Sequence, residues 1–427
     1  MKFKVLFILA FGLLSLNAIA GKSEQLRHAV YITLPKSYGT PIVTSVKEGI
    51  FGVNTDGKWT FYRIGGSIIH AAGRCRFNST NPTFDSRALV MQDLESKART
   101  KPYVILYTDG TRKQLPAEWV EVTDFADGVA MVKAVDAKYI PRCFYINTKG
   151  EEIWPHLKVI GRSMTSLLSA YPVRPLRDNR RAFKKDGKWG FLDEKGNIVI
   201  KPQFVNVRDF SEGFAGVTTM VEGKPMVGFI NQAGEFTFPP VLKGYNNWSD
   251  KIGDVHSGRI RVLRDGALTY YSTKGDLLKV FKDAVGTEFL PGDVAWICEK
   301  ATLDDTTWMH IVDPNFNTVH KVDESKGRWG ILDNPIFSKH GFKTATFGRE
   351  IITPLCDVVI NGTDDFSDNL NDNYAFFGDE AISYCYAELV VENKKYYGFI
   401  GQNGNYAVIF DRPTTPATWK RKPDVSY

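Results

Sequence analysis

From about Val43 to Ile409 the chain alternates short apolar runs with polar breaks that contain Asp-Gly, Lys-Gly or Asn-Gly. The stretch "KKDGKWGFLDEKGNIVIKPQF", Lys184 to Phe204, shows the pattern most clearly. Asp186-Gly187 predicts a two-residue hairpin, because both central positions of a type I′ turn need positive φ. Gly196, after Asp193-Glu194-Lys195, suits the left-handed position of a longer hairpin loop. Between the turns, the two-residue period of a strand places Trp189 and Phe191 on one face and Leu192 on the other. Gly190, between two large rings, predicts a bulge or a close approach by a neighbouring backbone.

The same phrase returns along the chain. "GFLDEKGNIV" from Gly190 recurs as "GFINQAGEF" from Gly228 and "GFIGQNGNY" from Gly398, with looser copies elsewhere. The turn glycines Gly110, Gly150, Gly196, Gly234 and Gly275 are about forty residues apart, a spacing typical of repeat architectures. A second phrase precedes the hairpin: "DFADGVAMV" from Asp124, "DFSEGFAGV" from Asp209 and a worn "DVHSGRIRV" from Asp254. One unit is therefore a small antiparallel meander. Trp189 is expected to wedge one unit against the next, burying on the order of 200 Å². At ~25 cal/mol per Å² that contributes several kcal/mol as an upper bound.

The unit resembles that of the bacterial WG-repeat proteins, named for a Trp-Gly pair within a "DGKWGFID..G..VI" pattern. Trp189-Gly190 and Trp329-Gly330 match it, and the pair persists as Phe51-Gly52, Val227-Gly228 and Tyr397-Gly398 with another residue in place of Trp. The resemblance implies a repeated all-β scaffold of about seven to nine units, with few defined activities. Units of this kind must stack to bury both faces. A β-propeller-like ring is expected ahead of an open β-solenoid, because a ring abolishes exposed sheet edges. The expected organisation is a signal peptide over residues 1–20, one repeat domain over 21–410, and a Pro-rich basic tail over 411–427 in which only docking of Trp419 would impose order.

The signal peptide is read from Lys2 and Lys4, the apolar run from Val5 to Leu14, and Ala18-Ile19-Ala20 before the cleavage point. That run is shorter than the ~20 residues a membrane span needs, so the mature chain is expected to be exported, periplasmic or extracellular, with no transmembrane segment. Loss of Lys2 and Lys4 takes the formal charge from +6 to +4, too small a surplus to suggest nucleic acid. The densest basic cluster, Arg174 to Lys185, reads as a solvated connection. Cys75, Cys143, Cys298, Cys356 and Cys385 are odd in number, so at least one is unpaired or pairs between chains. Cys143 and Cys298 read as small buried hydrophobes, and Cys356 with Cys385 is the first pair to test for a bridge.

Catalytic signals are sparse. The seven histidines show no zinc-binding spacing, and neither a G-x-S-x-G elbow nor a phosphate loop is present. The acidic stretch Asp364 to Asn373 reads as a repeat corner with an insertion and not as a calcium loop. No catalytic residue, metal or cofactor is assigned. Tyr245, Trp248 and Trp308 lie outside the best repeat positions, where rings can stack on a ligand or pack between units. The expected function is an exported, non-catalytic binding or scaffold protein for a protein or envelope polysaccharide partner. A glycan-acting enzyme of propeller type and a structural subunit of an exported complex are the alternatives.

Overall fold

The computed structural model describes residues 26–98, 101–160, 173–244, 252–264, 266–289, 293–300, 307–321, 351–352, 358–360, 384–391, 394–401 and 406–417. Its secondary structure is β throughout, apart from one 3-10 turn, Pro155–Leu157, among the described residues. The all-β class and the repeated antiparallel meander expected from the sequence are both present. The chain divides into two compact units, one comprising residues up to 72 and from 323 to 419, the other residues 73–322 with 420–427.

Residues 73–322 hold six antiparallel sheets in chain order. The first takes the end of Ile68–Arg76, then Ala88–Asp93, Tyr103–Tyr107 and Arg112–Gln114. The second is Trp119–Val122, Val129–Val135, Pro141–Asn147 and Glu152–Ile153, with Val159–Ile160 added against the third of these. The third is Leu176–Arg177, Arg180–Lys185, Lys188–Leu192 and Ile198–Phe204. The fourth is Asn206–Val207, Phe214–Val221, Lys224–Asn231 and Phe236–Lys243. The fifth is Ile252–His256, Arg259–Arg264, Ala267–Ser272 and Leu277–Phe281. The sixth is Ala284–Gly286, Ala295–Lys300, Thr307–Val312 and Thr318–Lys321.

The turn chemistry explains the meanders. Asp127-Gly128 and Asp186-Gly187 have φ of 45° and 74°, and of 50° and 77°, the left-handed pair that a two-residue hairpin needs. Gly190 lies in a strand whose register shifts between Trp189 and Phe191. A Cβ there would overlap the carbonyl oxygen of Ile200 and come within 2.7 Å of the Pro202 nitrogen. The bulge thus brings two backbones closer than any side chain permits. Trp189 is 2% exposed and belongs to a core cluster with Phe191 and Phe204 of its own sheet and Phe210, Val217 and Ile230 of the next. Phe191 and Phe210 meet edge to face across that seam, with centroids 4.8 Å apart. Gly196, at φ 81°, lies directly against the ring of Trp154, which follows the strand Glu152–Ile153 of the second sheet.

In the other unit, Val30–Ile32 pairs in parallel with Tyr406–Phe410, which continues into Lys394–Ile400 and Cys385–Val391. A second sheet runs Thr415–Pro416, Ile42–Val43, Ile50–Thr55 and Lys58–Arg63, so part of the Pro-rich segment forms a strand. The core here joins Phe51 and Tyr62 to Phe399 and Phe410. A two-stranded sheet, Ile351–Ile352 with Val358–Ile360, belongs to the same unit.

Gly190→Ala is expected to cost on the order of 1–3 kcal/mol, the usual penalty for overpacking. It should appear as a lower urea midpoint with an unchanged slope. An unaltered midpoint would mean that the bulge relaxes freely.

Candidate functional site

The phrase that begins "DFADG" or "DFSEG" puts an acid between a short first strand and a two-residue turn. Each such acid takes hydrogen bonds from the sheet before it. Asp124 Oδ1 accepts from Asn78 Nδ2 at 3.0 Å, and the same amide donates to the Val122 carbonyl at 2.9 Å. Asp209 receives the Arg174 guanidinium through Nε at 3.0 Å and Nη2 at 2.9 Å. Asp254 receives Arg208 through Nε at 2.5 Å and Nη2 at 2.8 Å, while Nη1 donates to the Ile252 carbonyl at 3.1 Å. Glu288 is the fourth member: its Oε1 accepts the Asp254 backbone N–H at 3.0 Å, and its Oε2 lies 3.1 Å from His256 Nε2.

A second row runs from the turns of one sheet to the first hairpin of the next. Asp85 accepts the Gly128 N–H at 2.9 Å, Asp127 that of Leu176 at 2.6 Å, and Asp178 that of Gly213 at 2.7 Å. Glu212 accepts from both Ser257 and Gly258, at 2.7 and 2.8 Å, and the Ser257 hydroxyl donates to Asp293 at 2.6 Å. Arg181, 3% exposed, donates to the carbonyls of Ala126 and Asp127 in the preceding turn and to that of Arg174. The basic cluster read as a solvated connection is therefore corrected. Arg174 and Arg181 are tied into the seams between sheets, because their partners lie in other repeats and leave no local trace in the sequence.

The richest constellation is Asp254, His256 and Glu288, whose ligating atoms all lie within 4.8 Å of one another. Burial would raise the Glu288 carboxyl, but the His256 hydrogen bond and the charges of Arg208, His256 and Arg261 outweigh it and hold the group at about 2. Burial would likewise lower His256, yet its bond to Glu288 and the charges of Glu288, Asp254 and Glu212 raise it above its ordinary value. Arg208, also opposed by burial, is held protonated by Asp254, Glu288 and Asp209. Two carboxylates and an imidazole are a donor set that suits a divalent cation. Here, however, a guanidinium already engages both oxygens of Asp254, and a metal would face that fixed positive charge at contact distance. The arrangement is a four-membered ion network closing the seams of the fourth, fifth and sixth sheets. Its sequence signal was available: Glu288-Phe289 occupies the place of Asp124-Phe125 and Asp209-Phe210.

Among the described repeat-signature residues, Gly190, Gly228 and Gly398 fall at corresponding places. Gly228 and Gly398, like Gly190, lie against a neighbouring backbone, at the carbonyls of Phe238 and Val408 respectively. Trp329, Gly330, Tyr245, Trp248, Cys356, Trp419 and the acidic stretch 364–373 lie outside the described residues. Trp308 sits in the strand Thr307–Val312 opposite Glu299, and its side chain is likewise outside them. Cys75 and Cys143 are thiols that burial pushes up to about 12 and about 11, so neither is a ready nucleophile at neutral pH. A small hollow of about 20 Å³ beside Cys143 is lined by Met131, Tyr145, Leu157, Val159, Phe183, Lys184 and Lys185, with no carboxylate among them.

Residues 189–219 match the WG containing repeat. The matched segment runs from Trp189 through the third-to-fourth seam, so the chain contains a WG-type repeat there. No curated protein matches the sequence. Among solved structures, the chain is similar to one described as the eukaryotic initiation factor, at 11% identity over 87% of this chain and 100% of that one, with a TM-score of 0.49. It is also similar to the WD40 domain of SCAP from fission yeast, at 12% identity over 77% and 87% of the two chains and a TM-score of 0.32. A third likeness is to the β-propeller domain of the Trilobed protease from Pyrococcus furiosus, at 8% identity over 66% and 98% and a TM-score of 0.30.

The network sets a pH window. With its pKa raised, His256 stabilises fully below the ordinary histidine value of 6.5 and loses that contribution as pH rises through the folded value. Glu288, lowered to about 2, stabilises above its ordinary 4.5 and loses the contribution as pH falls towards 2. The stability difference between the wild type and His256→Gln should therefore be largest between pH 4.5 and 6.5 and shrink above it, as read by urea midpoints. A difference independent of pH would contradict the ion pair. Arg208→Ala, which leaves the Asp254 carboxylate without its partner, should cost up to about 3–5 kcal/mol. Added zinc should leave the wild-type midpoint unchanged.

Proposed function

We propose that the protein is an exported, non-catalytic scaffold whose β-repeat body presents loops and sheet edges to a protein or envelope polysaccharide partner. The observation that carries this reading is the use of the repeated acids. Asp124, Asp209, Asp254 and Glu288 stand at equivalent positions, and each is bonded to the preceding sheet. Carboxylates held in this way are poor candidates for general acid or base work, which needs a group free to exchange a proton with substrate. Export is supported by the order of charged, apolar and small residues before Gly21. Among the described residues no helix is long and apolar enough to cross a membrane. Tyr245, Trp248 and Trp308 are proposed as ligand-stacking rings.

The purified mature chain, presented to fractionated envelope proteins and to a glycan array, should retain one component saturably. Trp248→Ala with Trp308→Ala should weaken that binding about tenfold, the equivalent of about 1.4 kcal/mol. Failure to retain any component, together with turnover of a glycan, would replace the scaffold reading with the enzymatic one.

A further inference from the structure

The bonds between successive sheets fix which way their strands point. Asp127 takes the Leu176 amide, Asp178 that of Gly213, and Glu212 those of Ser257 and Gly258, so the turns between first and second strands lie together at one end. Each second strand runs away from that end, and the hairpins that follow emerge at the other: Asp136 to Ile140 in the second sheet, Asp186-Gly187 in the third and Glu222-Gly223 in the fourth. Two of these tips carry large apolar side chains into solvent. Tyr139 is 87% exposed and Met220 50%, with Ile140 and Val221 exposed beside them. Ile160, paired with Arg142 at the same end, is 69% exposed. Tyr139 has φ 57°, a left-handed conformation that bulky residues avoid. Asp136 holds it there: its side chain accepts the amides of Lys138 and Ile140 at 2.9 and 2.8 Å, and its carbonyl accepts that of Tyr139. Basic side chains flank the tips. The second sheet sets Lys138 and Arg142 against Glu118 and Asp136 at this end, the third Lys184, Lys185 and Lys188 against Asp186, and the fourth Lys224 and Lys243 against Glu222. Arg142 lies over Phe144 and Lys184 over Trp189, which leaves their charges in place, whereas Lys158 is offset by Glu152. At the stitched end the balance reverses: the turns after the third strands of the same sheets hold Glu151, Asp193, Glu194 and Glu235 against Lys149 and Lys195.

We propose that the hairpin-tip end of the second, third and fourth sheets is a peripheral membrane-binding face that settles on an anionic phospholipid bilayer. Tyr139, Ile140, Met220 and Val221 enter the boundary between headgroups and acyl chains, and the basic side chains meet the lipid phosphates. The proposal adds a surface to the scaffold reading and does not rest on it. Apolar and basic groups together choose the occupant. A soluble polyanion would engage the lysines and leave the apolar tips in water, and a second copy of the same face would bring like charges together. A bilayer with anionic lipids takes both, because apolar side chains sink about 5–10 Å while cations stay at the headgroups. Tyrosine suits that boundary, with an apolar ring and a hydroxyl that stays wet. The order of the tips fits the same geometry. The third, with Lys185 and Lys188 around Asp186-Gly187, comes between the two apolar ones in sheet order. Attraction between lysines and an anionic leaflet falls off within a Debye length, so binding must weaken with salt.

The test is co-sedimentation of the whole mature chain with vesicles of phosphatidylcholine alone and of phosphatidylcholine mixed with phosphatidylglycerol. The chain should bind the mixed vesicles about tenfold more tightly than the neutral ones, and less so as salt is raised. Lys185→Glu with Lys188→Glu should remove the preference for the anionic lipid. Tyr139→Ser with Met220→Ser should weaken binding to the mixed vesicles about tenfold and leave binding to dextran sulfate unchanged. Lys149→Glu with Lys195→Glu, the same change of charge at the stitched end, should leave vesicle binding as it is. The proposal is overturned if the chain binds neither vesicle by about 1 mM lipid, if it binds both alike, or if the two lysine pairs have equal effects. It is overturned in favour of a soluble polyanion if Tyr139→Ser with Met220→Ser leaves vesicle binding intact. A wild-type dimer in sedimentation that the same double substitution dissolves would assign the tips to a second copy and overturn it too.

Discussion

A two-residue turn with both central φ positive closes its hairpin with one pair of backbone bonds and leaves its central N–H groups facing outward. In this protein the acceptor for those groups comes from the sheet before. Glu212 places one oxygen on the Ser257 amide and the other on that of Gly258, Asp85 and Asp178 do the same for the single turn amides of Gly128 and Gly213, and Asp127 takes the Leu176 amide in the strand that leads into the next turn. Charge-assisted bonds of this kind are roughly twice as strong as neutral ones, and a concave pair of turn amides is a natural seat for an anion. Each sheet is thus completed by its predecessor, and the order of sheets in space follows their order in the chain.

The second row of contacts reinforces the first from deeper in the seam. Arg174 and Arg208 each reach forward to the acid of the following repeat with a two-pronged bond, and Arg181 reaches back to the turn of the preceding one. Hydrophobic clusters bridge the same seams, so polar and apolar contacts act together. The Trp189 cluster spans the third and fourth sheets, and that of Val227 and Phe229 joins the fourth to the fifth. Asp254, His256 and Glu288 resemble a metal centre only in composition. The guanidinium of Arg208 already supplies the positive charge that a cation would bring.

Much of the fold was legible because its determinants are local. Asp186-Gly187 specifies a hairpin whatever surrounds it, the glycine of the Trp-Gly pair marks the bulge, and the spacing of the turn glycines gives the period. The stitching was not legible, because its partners are distant: Arg174 and Asp209 are 35 residues apart, Arg208 and Asp254 46. Read within its own neighbourhood, Arg174 to Lys185 is a solvated basic run. Only the pairing of successive sheets brings Ala126 and Asp127 to Arg181. The acids were visible as a repeated letter in "DFADG" and "DFSEG", yet their role needed the neighbouring sheet to appear. Trp248 and Trp329 fall outside the described residues, so the sequence remains the source of what is said of them.

Native-state amide hydrogen exchange on Glu212→Gln tests the stitching most directly. The account predicts that protection falls at Ser257 and Gly258 of the fifth sheet, while the amides of Phe214 and Ala215, beside the substituted residue in the fourth, keep theirs. Loss confined to the fourth sheet, or no change at Ser257 and Gly258, would contradict the claim that each sheet is completed by the one before it.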